Sequence, residues 1–213
     1  MALTKHKSVS VSKVPRDNVK RDQRVVRTRK QVDAAFVDLL HRRAYGNIRV
    51  SDLTKKAGVG RATFYAHYSS KDDLLRSQFN RIVVPMLVIN LDAPCPLDAT
   101  ALFDHIQSAP RIYKGLVGGP DSGSGPRVLR ECFEERIRES IRLQEAKSRA
   151  CGLALGIDEA IVTRFLASSL LVVLEGALEG SAQRSPQEAQ AIFAKLAGGA
   201  LAASRAPISG NDQ

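Results

Sequence analysis

The chain has 213 residues, which suits one large domain or a small domain joined to a larger one, and 44% of them are hydrophobic, enough for a buried core. The basic N-terminus is not followed by an apolar run, and the longest uncharged apolar run, Phe165 to Leu174, is far short of the roughly 20 residues that cross a bilayer. Neither secretion nor membrane insertion is expected, and the expected location is the cytoplasm. Three widely spaced cysteines, Cys95, Cys132 and Cys151, fit neither a disulfide framework nor a zinc knuckle. Charge is more telling in its distribution than in its sum. Residues 1–80 hold 18 Lys and Arg against 7 Asp and Glu, a formal +11, whereas residues 81–213 hold 14 against 15, a formal −1. An excess confined to the first third points to a region that meets a polyanion, nucleic acid ahead of an anionic membrane, and a second region with another task.

In chain order, residues 1–24 mix Lys, Arg, Ser and Pro without helical periodicity and read as a flexible basic arm. From Thr28, the recurrence of Val32, Ala35, Phe36, Leu39 and Leu40 predicts an amphipathic helix ending near Tyr45-Gly46-Asn47. Val50 to Ala57 predicts a second, short helix, Gly58-Val59-Gly60 a tight turn, and Arg61 to His67 a third helix of about two turns. Ser70 to Asp73 is a capping-box variant opening a fourth helix, which Pro85 kinks or ends. Asn90 to Pro96 reads as a linker. Short helices follow at Ala101 to Ile106 and Arg111 to Val117, then a flexible loop, GGPDSGSGP, at residues 118–126. Longer helices are predicted at about residues 127–149, at Ile157 to Glu179, and from Pro186 to about Ala203. No alternating strand pattern, internal repeat or heptad array intervenes, so the chain is predicted to be all-α.

A short helix, a glycine turn and a second short helix form a helix-turn-helix at about residues 48–67, whose second helix enters a DNA major groove. Its outward residues suit that task. Ala62 permits close approach to base edges, and the Thr63 methyl can meet a thymine methyl. Tyr65 and His67 can donate hydrogen bonds to phosphate oxygens. Lys71 follows the Ser70 cap, where its ammonium and the positive helix end can grip one phosphate together.

The stretch YGNIRVSDLTKKAGVGRATFYAHYSSKDDLL resembles the DNA-binding signature of the tetracycline-repressor (TetR) family over about residues 25–84: Ala57-Gly58-Val59, Thr63-Phe64-Tyr65, His67-Tyr68 and Ser70-Lys71 fall at family spacing. The resemblance implies a DNA-contacting set of Arg49, Ser51, Gly60, Arg61, Ala62, Thr63, Tyr65, His67 and Lys71, with Phe64 and Tyr68 holding the recognition helix to its small core. Two departures stand out. Gly60 replaces a usual Ser or Thr cap, and Ile48-Arg49 replaces a usual Thr pair, so that Arg49 takes up the phosphate contact. Two readings of the arm stand side by side: Arg16, Lys20, Arg21 and Arg24 lie along the minor groove, or they add affinity through counterion release without fixed geometry.

The architecture expected is then a three-helix helix-turn-helix domain (residues 25–84) followed by a larger helical ligand-binding and dimerisation domain (85–207) and a tail (208–213). Ile157 to Glu179 is apolar on more than one face, so one side can pack inward and the other on a second subunit, with Ala167, Ser168 and Ser169 allowing close approach. The last two helices resemble a TetR subgroup in which they form a four-helix interface with their symmetry mates. The family likeness implies a small-molecule effector, unidentified, with candidate lining residues Met86, Leu102, His105, Ile106, Tyr113, Leu116, Cys132, Phe133 and Phe165. No catalytic group, cofactor or metal is expected: His6, His41, His67 and His105 lack metal-ligand spacing, and there is no Gly-x-Ser-x-Gly or Walker loop. The expected function is a dimeric regulator, a repressor, bound to a palindromic double-stranded operator and released by its effector. Nonspecific nucleic-acid binding through the arm, or activation of transcription, are the alternatives.

Overall fold

The computed structural model describes residues 16–90, 97–148, 158–179 and 184–205. The fold is all-α apart from one two-residue ladder. Helix α1 (Arg16–Arg42) starts well ahead of the predicted Thr28. Its second half is fastened by Val32, Ala35, Phe36, Leu39 and Leu40, all buried. Its first half has no such stripe. It is a run free of Gly and Pro after Pro15 and rich in Arg, a good helix former. Arg16, Lys20, Arg21 and Arg24 therefore stand on a helix, not on a flexible strand. Residues 1–15 of the arm, and the tail, lie outside the described residues.

A 3-10 turn, Tyr45–Asn47, leads to α2 (Val50–Ala57), α3 (Arg61–Tyr65) and α4 (Lys71–Ile82). Tyr45, Ile48, Leu53, Phe64, Tyr68, Leu74 and Phe79 join the α1 stripe in one core. Pro85 sits inside a 3-10 turn, Val84–Met86, which ends the predicted fourth helix. Strands β1 (Val88–Ile89) and β2 (Leu97–Asp98) then pair antiparallel across the predicted linker, of which residues 91–96 lie outside the described residues.

Five helices complete the described chain: α5 (Thr100–Ser108), α6 (Pro110–Val117), α7 (Gly125–Ser148), α8 (Glu159–Leu178) and α9 (Pro186–Arg205). Helix α7 packs against both α4 and α8, and α9 against α8 and α5. Helix α8 is, by length and composition, long and apolar enough to cross a membrane, although its uncharged run alone is not. Leu166, Ala167, Leu170, Leu174 and Ala177 bury its inner face, as in the core helix of a bundle.

The glycine-rich segment at residues 118–126 is not a loose loop. It forms a 3-10 turn, Pro120–Ser122, and then the start of α7, pressed against the Tyr45–Asn47 turn. A Cβ on Gly46 would lie 2.5 Å from the carbonyl oxygen of Asp121, and one on Gly123 would lie 2.9 Å from the Cα of Gly46. Gly123 also has φ +58°. Its composition serves a backbone-to-backbone contact that side chains would forbid.

Candidate nucleic-acid interface

The helix-turn-helix is assembled from terminal signals. The backbone N–H of Arg49 donates to the Asp52 carboxylate (3.0 Å) as α2 begins. At its end Gly58 takes the left-handed conformation (φ 65°, ψ 31°), with the N–H groups of Gly58 and Val59 donating to the carbonyls of Lys55 (3.3 Å) and Thr54 (3.1 Å). This is a Schellman termination, which reverses the chain in two residues and is most readily met by glycine. Gly60 then caps α3 with extended backbone (φ −72°, ψ 156°) and no side-chain bond. A Cβ there would meet only Thr63 Oγ1 at 3.8 Å, so the site has room for the missing hydroxyl residue.

Helix α3 has two unlike faces. Phe64 is wholly buried, edge-on to Tyr65 (5.4 Å between ring centroids) and tilted against Tyr68 (5.8 Å). The Tyr68 hydroxyl donates to Asp33 of α1 (3.0 Å), which also accepts from Arg81 of α4 (3.1 Å). Burial and the neighbouring Asp33 push the Tyr68 phenol up to about 12, so it remains a donor at any physiological pH. The guanidinium of Arg29 lies over the same ring at 5.9 Å. On the other side Arg61, Ala62, Thr63 and Tyr65 are exposed, Tyr65 by 52%, and His67 is half-buried beside Tyr68. Arg49 and Ser51, at the start of α2, are exposed too. Among the described residues no carboxylate pairs with the side chains of Arg49 or Arg61, whereas Lys56 is bound to Asp38 (2.6 Å). The set joins two cations, two hydroxyls, a phenol and a half-buried imidazole around a helix with a small residue at its middle. Such a surface can hydrogen-bond phosphates at its ends and meet base edges between them.

Lys71 departs from the sequence expectation. It stands at the start of α4 behind the Ser70 cap, whose hydroxyl accepts from the Asp73 N–H (3.0 Å), but its ammonium turns inward. It donates to the carbonyl oxygens of Tyr45 (2.7 Å) and Ile48 (2.8 Å) and sits 4.1 Å from the centroid of the Tyr45 ring. Burial lowers its pKa from the usual lysine value. Two of its three protons are engaged on those carbonyls, which makes Lys71 a brace for the turn before α2.

Most of the expected effector residues sit in the packed core. Leu102, Ile106, Tyr113, Leu116, Cys132 and Phe133 are buried in the core, while Met86 and His105 are half-buried, His105 edge-on to Tyr113 at 5.8 Å. Burial pushes the Tyr113 phenol well above its ordinary range and the Cys132 thiol up to about 11. Phe165 is corrected outright: it is 50% exposed on the outer face of α8. Ala167, expected to ease the approach of a second subunit, faces its own core. A groove of about 860 Å³ does open between the end of α4 and α7, lined by Asn80, Val84, Pro85, Cys132, Arg136 and Leu143 among others. Of the nine candidates, Cys132 alone lines it. The sequence reading also missed Tyr45, Asp72, Ser124 and Arg127, polar groups that meet where the small domain rests on α7.

A buried aromatic pair behind an exposed short helix, entered by a left-handed glycine, has the geometry of a helix-turn-helix. Residues 32–77 match the family of bacterial regulatory proteins, tetR family. Over 61 residues the chain is 46% identical to YxbF of Bacillus subtilis (strain 168), an uncharacterized HTH-type transcriptional regulator. That stretch is 28% of this chain and only 16% of the relative, so the match spans about one sixth of that protein. Among solved structures, the TetR transcriptional regulator from Streptococcus agalactiae 2603V shares the fold, with a TM-score of 0.55 and 21% identity over 84% of this chain and 98% of that one.

Proposed function

We propose that this chain is a cytoplasmic transcriptional regulator that binds a palindromic DNA operator as a homodimer, represses by occupying it, and lets go when a small-molecule effector binds. The observation that carries the reading is the division of α3, with Phe64 buried and Arg61, Ala62, Thr63 and Tyr65 left open to solvent. Arg49 and Ser51 join them as phosphate contacts at the start of α2, and Gly60 and His67 bring backbone and imidazole to the two ends of α3. One helix this short reads few base pairs, so a second copy is required for a specific site. Helices α8 and α9 supply the surface for it. Ile161, Phe165 and Val172 of α8 are 63%, 50% and 65% exposed, and Ile192 and Leu196 of α9 continue the apolar area. Laid against the same two helices of a partner, they make the four-helix interface known from a TetR subgroup. The groove between α4 and α7 is of a size that takes a small organic ligand. A ligand there favours one position of α4 and so changes the spacing of the two reading helices from the one-turn distance, about 34–36 Å, that both half-sites demand.

The test is footprinting on the DNA flanking the protein's own coding region, with wild type and Tyr65→Ala. A protected palindrome seen with wild type and lost with the variant is the expected result. A wild type that protects no site, and sediments as a monomer, ends the proposal.

A further inference from the structure

Two of the polar contacts between the small domain and α7 meet on one carboxylate. Asp72, in the first turn of α4, accepts from the hydroxyls of Tyr45 (2.6 Å) and Ser124 (2.7 Å) on one oxygen and from the Arg127 guanidinium (2.8 Å) on the other. Tyr45 belongs to the turn before α2, and Ser124 and Arg127 flank the start of α7. One helical turn further along, Arg76 of α4 donates to Glu131 of α7 (2.6 Å), whose other oxygen accepts from Arg127 (2.7 Å). Asp72, Arg127, Glu131 and Arg76 therefore alternate in charge as a ladder between two helices that run side by side. Phe79 and Phe133 continue it edge-to-face at 5.2 Å. Beyond that pair the helices part and the groove begins at Asn80 and Val84. Burial would raise the Asp72 acid, but the hydrogen bonds from Tyr45 and Ser124 and the charge of Arg127 outweigh it and hold the acid below its ordinary value. None of these groups lies on α3.

We propose that Asp72 is a positioning residue for DNA recognition, tying the turn before α2 and the start of α4 to α7 and so setting the angle at which α3 is carried. The inference rests on the reading of α3 as the DNA-contacting helix. Three donors, one from the turn before α2 and two from the start of α7, fix a carboxylate in orientation as well as in place, which a purely apolar contact does not. Lys71, the preceding residue, holds the same turn by its Tyr45 and Ile48 carbonyls, so the first turn of α4 grips it from two sides. Asparagine at position 72 keeps an oxygen for Tyr45 and Ser124 but turns an amide N–H toward Arg127, so it removes one arm of the junction.

The experiment compares full-length wild type, Asp72→Asn, Asp72→Ala, Arg127→Met and Arg127→Lys by hydrogen exchange, and measures each against a duplex that the wild type selects from a random-sequence pool. Exchange at residues 44–49 and 119–128 is expected to quicken about tenfold in Asp72→Asn and Arg127→Met, the scale of one lost charge-assisted hydrogen bond, and more in Asp72→Ala. Arg127→Lys, which keeps a cation there, lies between them and wild type. Exchange in α8 stays unchanged. Duplex affinity falls with the slope of its salt dependence intact, because no phosphate contact is removed. Faster exchange throughout α8 and α9, unchanged exchange at the junction, or affinity lost together with a shallower salt slope would each overturn the proposal. A wild type that selects no duplex sinks the DNA reading instead, and the exchange pattern, which needs no DNA, tells the two failures apart.

Discussion

Replacing Phe64 and Tyr65 one at a time by alanine separates stability from recognition at neighbouring positions. The Phe64 ring is wholly buried and touches two other rings, so Phe64→Ala leaves a cavity in a small core and costs about 3–5 kcal/mol. For a chain of this size that lowers the midpoint of thermal unfolding by roughly 6–20 °C. Tyr65 is half exposed and shares only one edge contact with Phe64, so Tyr65→Ala costs about 0.5–1.5 kcal/mol. Its effect on binding is the larger one, on the order of 1–3 kcal/mol per copy for a lost hydrogen bond to DNA. Calorimetry and urea titration give the stabilities, and fluorescence anisotropy with a selected duplex gives the affinities. Equal losses of stability in the two variants, or a Tyr65→Ala protein that binds as tightly as wild type, would refute the division of α3 into an anchoring and a reading face.

Lys71→Met strips the donor from two carbonyls and should destabilise by about 2–3 kcal/mol in urea titration. The salt slope of DNA binding should hold, whereas a lysine on phosphate would lower it by about one. Gly60→Ser, placed where a Cβ finds open room, should raise stability by a few tenths of a kcal/mol in the same assay. Because the Asp72 acid is held below its unfolded value, its stabilisation is complete above that value, about 3.9, and fades as pH falls through the folded one. Junction exchange should thus quicken below about pH 4 in wild type and show no such step in Asp72→Asn. The double variant Phe165→Asp with Val172→Asp, both on the outer face of α8, should sediment as a monomer while its helix content stays that of wild type.

The reading head was legible because its signals are local. A left-handed glycine between two short helices and aromatics at the right offsets depend on neighbours within a dozen residues, and Phe64 and Tyr68 are buried as predicted. What escaped was what distance in sequence conceals. Lys71 looks like a phosphate ligand until the carbonyls of Tyr45 and Ile48, more than 20 residues earlier, are found under its ammonium. Residues 118–126 have the composition of a flexible linker, and only the position of Gly46 shows that the glycines serve close packing. Phe165 could be assigned to neither face of α8, because periodicity fails as a guide when both sides are apolar. The early start of α1 was hidden for the opposite reason: its first turns have no apolar stripe to detect.

Under the proposed function, the brevity of α3 governs how the molecule finds an address. Five residues span fewer than two turns, so only three or four side chains face the bases at once. A word of about four base pairs recurs by chance about once in 256 positions, and two such words at a set spacing about once in 65,000, roughly 250-fold more rarely. In the proposed dimer, information of that order belongs to neither copy alone. It exists only in the distance between them, which makes the rigidity of the scaffold as much a part of the code as the residues that touch the bases.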